Sequence, residues 1–280
     1  MVPGKKIDVS FFASGYCVAQ ARAVNPRANW AMTRFYAVWA LIKHPEIGIL
    51  LFDGGYNLSF YSATRRWPDR LYRWVTPVVV NRDETAVSIL EREHIHPEEV
   101  NYFAISHFHA DHICALKDFP QARFICSQKA YNEVQGSNGL AAVRKGILKH
   151  LIPNDFEKRL LFLEDISTPY VDQQSRLTFF CPFDQDSLQF VDLPGHARGM
   201  FGFYVRDRGA EMLYGADASW GRDVFLDEIL PSPAVRLFID SWSDYKETNK
   251  RLLLFLRNKP LTKILFTHCP QTLKYIMPPI

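Results

Sequence analysis

Short apolar, β-branched or aromatic runs recur along the chain, and each closes on a polar or glycine-containing turn. They fall at 47–52 before Asp53-Gly54-Gly55, at 100–105 before Ser106-His107, and at 188–193 before Pro194-Gly195-His196. The series continues at 212–214 before Gly215-Ala216-Asp217 and at 264–267 before His268. Runs of this length and composition predict strands that end in loops. Helical stretches lie between them. Asp83 is a candidate N-cap for a segment carrying Val87 and Leu90 on one face before Pro97, and 246–256 carries Leu252, Leu253, Phe255 and Leu256 before Pro260. Strands that alternate with helices predict a layered α/β architecture, with any chemistry at the strand ends. No repeat, low-complexity tract or Gly/Ser linker divides residues 1–280, which predicts one domain.

Composition narrows the function. At 280 residues and 48% hydrophobic, the chain can bury a full core without a metal or disulfide to hold it, so a metal site here points to chemistry. A net charge of +3 gives no support to a dedicated nucleic-acid or anionic-membrane binder. The five cysteines, Cys17, Cys114, Cys126, Cys181 and Cys269, are odd in number and form no CxxC pair, so they read as neither a disulfide framework nor a zinc knuckle. Cys269 reads as a small buried hydrophobe despite adjoining His268. No export signal and no run of about 18 apolar residues stands out, which predicts a cytoplasmic protein with no membrane partner.

One motif carries chemistry: His107-Phe108-His109-Ala110-Asp111-His112, an HxHxDH sequence directly after a predicted strand. Residues two apart on extended backbone point the same way, so His107 and His109 can grip one cation. Asp111 and His112, in the following turn, can face a second. Imidazole nitrogens and carboxylate oxygens suit zinc, with iron, manganese or cobalt as alternatives. His196, Asp217 and His268 each follow a predicted strand and are further candidate ligands. His44, His94, His96 and His150 lack that context and read as surface residues.

These segments, in this order, resemble the metallo-β-lactamase superfamily, and the resemblance spans nearly the whole chain. It implies a four-layer αββα sandwich, with two mixed β-sheets packed face to face, flanked by helices, and a metal centre at one edge. It also implies that His107, His109 and His196 bind a first divalent cation, that Asp111, His112 and His268 bind a second, and that Asp217 bridges both. Asp53 matches the carboxylate that orients a ligating imidazole. Such a centre makes hydroxide available at neutral pH and directs it at a substrate carbonyl, with Asp111 as proton relay.

Within the superfamily the chain is most similar to the N-acyl-homoserine lactone lactonases, in its size, its N-terminal strand, the tripeptide Asp217-Ala218-Ser219, and the aromatic residues Trp30, Phe35, Tyr36 and Trp39 ahead of Asp53. Those lactonases commonly carry Tyr three residues after the bridging Asp. Trp220 stands there in this chain, and its indole N–H can donate one hydrogen bond to a substrate. The expected function is therefore ring-opening of a small-molecule lactone. The alternatives are a thioesterase or other ester or phosphodiester hydrolase of the superfamily, or a metal-binding interaction protein with little turnover. The stretch 65–74, with four arginines and three aromatics, reads as a wall over the site or as a surface contact, including that of a homodimer. The segment 128–163 is long enough to lay helices over the pocket.

Overall fold

The computed structural model describes residues 7–183, 187–207 and 210–276. In the first sheet lie β1 (Asp8–Gln20), β2 (Met32–His44), β3 (Gly48–Phe52), β4 (Val78–Val79), β5 (Val100–Ala104), β6 (Arg123–Cys126) and β7 (Leu160–Phe162), in spatial order β4-β1-β2-β3-β5-β6-β7. In the second lie β8 (Tyr170–Val171), β9 (Thr178–Phe180), β10 (Leu188–Asp192), β11 (Phe201–Asp207), β12 (Ala210–Tyr214) and β13 (Lys263–Leu265), in order β13-β12-β11-β10-β9-β8. Both sheets are mixed: β3, β5, β6 and β7 run parallel beside the antiparallel β1-β2-β3, and β13 runs parallel to β12.

Period-two alternation decides what each sheet face meets. Phe11, Val38, Ala40, Ile42, Leu50 and Phe52 point into the space between the sheets. There the Phe52 ring lies 4.9 Å from Phe203, 5.6 Å from Phe201 and 5.7 Å from Tyr214. Their chain neighbours Phe12, Trp39, Leu41 and Leu51 turn the other way, under the helices Ala86–Arg92 and Gln128–Gly136. The second sheet is covered by the helix Trp242–Asn258, whose Phe255 packs on Phe179 and Tyr204. Helices, sheet, sheet and helix are the expected four layers.

Some local expectations shift. Asp83 is not the cap of the first expected helix: it lies in a separate single turn, Arg82–Glu84, closed by a capping box between Asn81 and Glu84. Thr85 caps Ala86–Arg92 instead, its hydroxyl oxygen accepting from Ser88 N. The helix expected at 246–256 starts earlier because Ser241 Oγ accepts from Asp244 N. His44 is not a surface residue. It ends β2 at 4% exposure, and its Nδ1 accepts from Glu46 N in the turn toward β3.

Topology explains why the site forms. β3 and β5 are parallel, so their C-terminal ends share one edge of the first sheet. β10 and β12 both pair antiparallel with β11, and β13 is parallel to β12, so these three also end together. Asp53, His107, Asp217 and His268 follow those ends, with His196 on the loop beyond β10.

Candidate metal centre

Beyond β5 the chain runs through Ile105 and Ser106 to His107, then folds at His109 into the single turn Ala110–Ile113. That change from extended to helical backbone separates the motif's roles. His107 and His109 come to 4.4 Å between ring centroids, while Asp111 and His112 face the opposite side of the cluster. His196 is set by Gly195, whose φ of +132° is open to glycine but strained for other residues. A Cβ there would lie 2.3 Å from the backbone N and Cα of Tyr245. The loop is therefore pressed against the start of the helix Trp242–Asn258, where Ser241 N and Asp240 N donate to Gly195 O and His196 O.

The structure brings together all seven side chains expected as ligands. They form two groups able to hold a cation, His107, His109, His196 and Asp217, and Asp111, His112, Asp217 and His268, with Asp217 common to both. Asp217 Oδ2 lies 3.2 Å from His268 Nε2, 3.4 Å from His196 Nε2 and 4.0 Å from His107 Nε2, and Oδ1 lies 3.5 Å from His112 Nε2. Asp111 Oδ2 is 3.3 Å from His268 Nε2 and 3.5 Å from His112 Nε2.

The inward-facing nitrogens are fixed by bonds made behind them. Asp53, fully buried at a φ of +63°, ties the ends of β3 and β5. Its Oδ1 accepts from Ser106 N and its Oδ2 from His112 Nδ1, both at 2.8 Å. With a proton held on Nδ1, Nε2 is the His112 nitrogen left to offer a lone pair to a cation. His268 Nδ1 likewise donates to Tyr36 O at 2.9 Å. Ser106 Oγ lies 3.0 Å from His107 Nδ1.

The residues fit divalent cations on chemical grounds. Among the described residues, five buried side-chain polar atoms lack a hydrogen-bond partner, and three of them, His107 Nε2, His112 Nε2 and Asp217 Oδ1, are atoms that face this cluster. Orphaned polar atoms buried together signal a missing partner. Burial holds His107 well below the usual imidazole range and depresses His196 to about 3, so these are neutral donors. Burial opposes charge on His112 and His268 too, but the surrounding carboxylates outweigh it. His112 is pushed well up by Asp111 and Asp53, and His268 up to about 10 by Asp217 and Asp111. Against their own burial, His112 and His268 hold Asp111 and Asp217 well below the usual carboxylate range. Without a metal, protons on two imidazoles balance two carboxylates, and cations would replace those protons.

A cavity of about 170 Å³ opens over the cluster. Trp220, expected to donate to substrate, lines it with its ring 5.5 Å from that of His196. The 65–74 stretch contributes one side to this wall: Tyr72, on the helix Arg70–Val75, is buried and lines the cavity, while Trp67 and Trp74 face solvent. From 128–163 come Val143, Arg144 and Gly146. Cys269 is buried with Sγ accepting from Arg222 N, as a packing residue rather than a ligand.

Sequence reasoning missed Ser106, Tyr36, Cys17, Tyr56 and Arg144. Ser106 preceded the motif and could have been found there. Tyr36 acts through its carbonyl, which any residue would supply. Cys17 also lines the cavity, but burial and then Asp111 raise its thiol to about 12, which removes it as a nucleophile.

Residues 33–268 match the family model of the metallo-beta-lactamase superfamily. The chain belongs to this superfamily. Among curated proteins it is 27% identical to the N-acyl homoserine lactonase AttM of Azorhizobium caulinodans over 68% of each chain. It is equally similar, with the same coverage, to AttM of Agrobacterium fabrum. An N-acyl homoserine lactone hydrolase solved with N-hexanoyl-L-homoserine at its catalytic metal centre shares the fold, with a TM-score of 0.72, 18% identity and 97% of each chain covered. AidC, a dizinc quorum-quenching lactonase, superposes with a TM-score of 0.64 at 14% identity, over 95% of this chain and 88% of its own. The expected sandwich and family are thus both borne out.

Proposed function

We propose that the protein, a metal-dependent hydrolase like its relatives, opens the ring of an N-acyl homoserine lactone or a related lactone at a centre of two divalent cations. His107, His109 and His196 would hold one, Asp111, His112 and His268 the other, and Asp217 both. Zinc suits this mixed imidazole and carboxylate set, with iron, manganese and cobalt as chemical alternatives. Bound there, the cations would supply a Lewis acid and bring the pKa of a water from 15.7 to about 7.

The chain's own residues do the rest. Asp53 and the Tyr36 carbonyl fix which imidazole nitrogen faces inward. Asp111, one of two carboxylates lining the cavity, would carry a proton to the departing alkoxide oxygen, Asp217 being the carboxylate common to both cation groups. The Trp220 indole N–H is a donor at the same wall. Exposed Val75 and Phe238 give the cavity an apolar lip suited to an acyl arm. Five free cysteines suit a reducing compartment.

The observation that carries the reading is the pair of largely buried His and Asp groups able to hold a cation, which share one carboxylate. The test is proton release from an unbuffered N-hexanoyl homoserine lactone solution, with and without chelator. Chelator-sensitive ring opening is expected; a fully metallated protein that leaves the lactone intact refutes the substrate.

A further inference from the structure

A second cavity, of about 260 Å³, adjoins the first behind His109 and His196. Four side chains line both: His109, His196, Arg144 and Phe238. Of these Arg144 alone carries a permanent charge. It ends the short helix Gly139–Arg144 and faces solvent. Its chain segment is anchored to the metal cluster, because Ile147 forms a β-bridge with His109 and Gly146 packs on the His109 ring, where a Cβ would sit 2.5 Å from Cδ2.

Arg144 differs from the cations around it. Lys145 Nζ is paired with Glu133 Oε1 at 2.6 Å, and the Arg236 guanidinium stacks 5.6 Å over the Trp242 ring. Among the described residues no carboxylate, carbonyl or ring takes the Arg144 guanidinium. The walls of the second cavity also hold one more cation than anion: Arg144, Lys145 and Arg236 against Glu133 and Asp240. A purely apolar arm laid across this divide would strip water from an unpaired guanidinium and return nothing. A carboxylate would satisfy the planar fork with two parallel hydrogen bonds.

We propose that Arg144 is a specificity-determining residue that binds a carboxylate on the substrate's acyl arm, so that the site prefers lactones or esters carrying a second, anionic group. The ester half of this statement rests on the hydrolase reading; the carboxylate half rests on the shared wall.

Calorimetric titration of the metal-loaded protein separates the two. Glutarate, adipate and pimelate are each compared with the monoacid of equal length, so that the metal-facing carboxylate cancels. At least one diacid is expected to bind about tenfold tighter than its monoacid. In Arg144→Gln that ratio should collapse to within about twofold, and Arg144→Lys, which keeps the charge but loses the fork, should retain part of it. Equal binding of diacids and monoacids by the wild type, or an undiminished ratio in Arg144→Gln, overturns the proposal. A protein that opens no lactone yet keeps an Arg144-dependent diacid preference would discard the lactone and retain the carboxylate subsite.

Discussion

Replacing Asp53 with Asn keeps the shape of the side chain and inverts one hydrogen bond. In the native protein Asp53 Oδ1 accepts from Ser106 N and Oδ2 from His112 Nδ1, each at 2.8 Å. An Asn can still accept from Ser106, but its NH₂ then faces His112 Nδ1, donor against donor. The imidazole relieves the clash by moving its proton to Nε2, the nitrogen 3.5 Å from both Asp111 Oδ2 and Asp217 Oδ1. That nitrogen can then no longer offer a lone pair to a cation. Loss of a partner behind a ligating histidine typically costs 10- to 100-fold in metal affinity, or about 1.4–2.8 kcal/mol. The loss should fall mainly on the Asp111, His112 and His268 group, because Asp53 bonds His112 directly and reaches His107 only through Ser106. Competition of zinc against a chromophoric chelator should resolve two affinities in the wild type and weaken one in Asp53→Asn. Two unchanged affinities would refute the orienting role of Asp53.

Other expectations follow from the same geometry. Gly195→Ala places a Cβ against Tyr245 backbone at a φ of +132°, so urea melts should show a loss of about 1–3 kcal/mol, and affinity for the cation held by His196 should fall with it. Phe52→Ala empties the centre of the inter-sheet core and should cost about 3–5 kcal/mol in the same assay without changing metal stoichiometry. The metal-free protein should be most stable near pH 6.5. Below that, the unfolded chain takes up protons that the depressed His107, His109 and His196 refuse until about pH 3 for His196, so stability falls with pH. Above it, the raised His112 and His268 keep protons that the unfolded chain releases, and their contribution is lost as pH rises toward about 10 for His268. Metal-free stability that climbs steadily from pH 5 to 9 would contradict these assignments.

The sequence carried the site better than its surroundings. HxHxDH, His196, Asp217 and His268 were legible because each follows an apolar run, and parallel strand direction then delivers all of them to one edge. Asp53 was legible by its place after β3, although its positive φ was not. The cavity walls were obscure for a physical reason: Tyr56, Tyr72 and Arg144 come from loops and short helices whose approach depends on packing, not on period. Tyr72 lay inside the noted 65–74 stretch, but which aromatic would turn inward depended on the helix Arg70–Val75. His44 misled because it ends a strand beside a polar turn, where exposure is the usual outcome, yet the fold covers it.

Cation stoichiometry tests the central claim most directly. Protein reconstituted with zinc and freed of excess metal should carry close to two ions per chain by elemental analysis, and Asp217→Ala, which removes the carboxylate common to both groups, should carry well under two. Wild-type protein that takes up no metal, or Asp217→Ala that holds two ions as tightly as the wild type, would contradict the account.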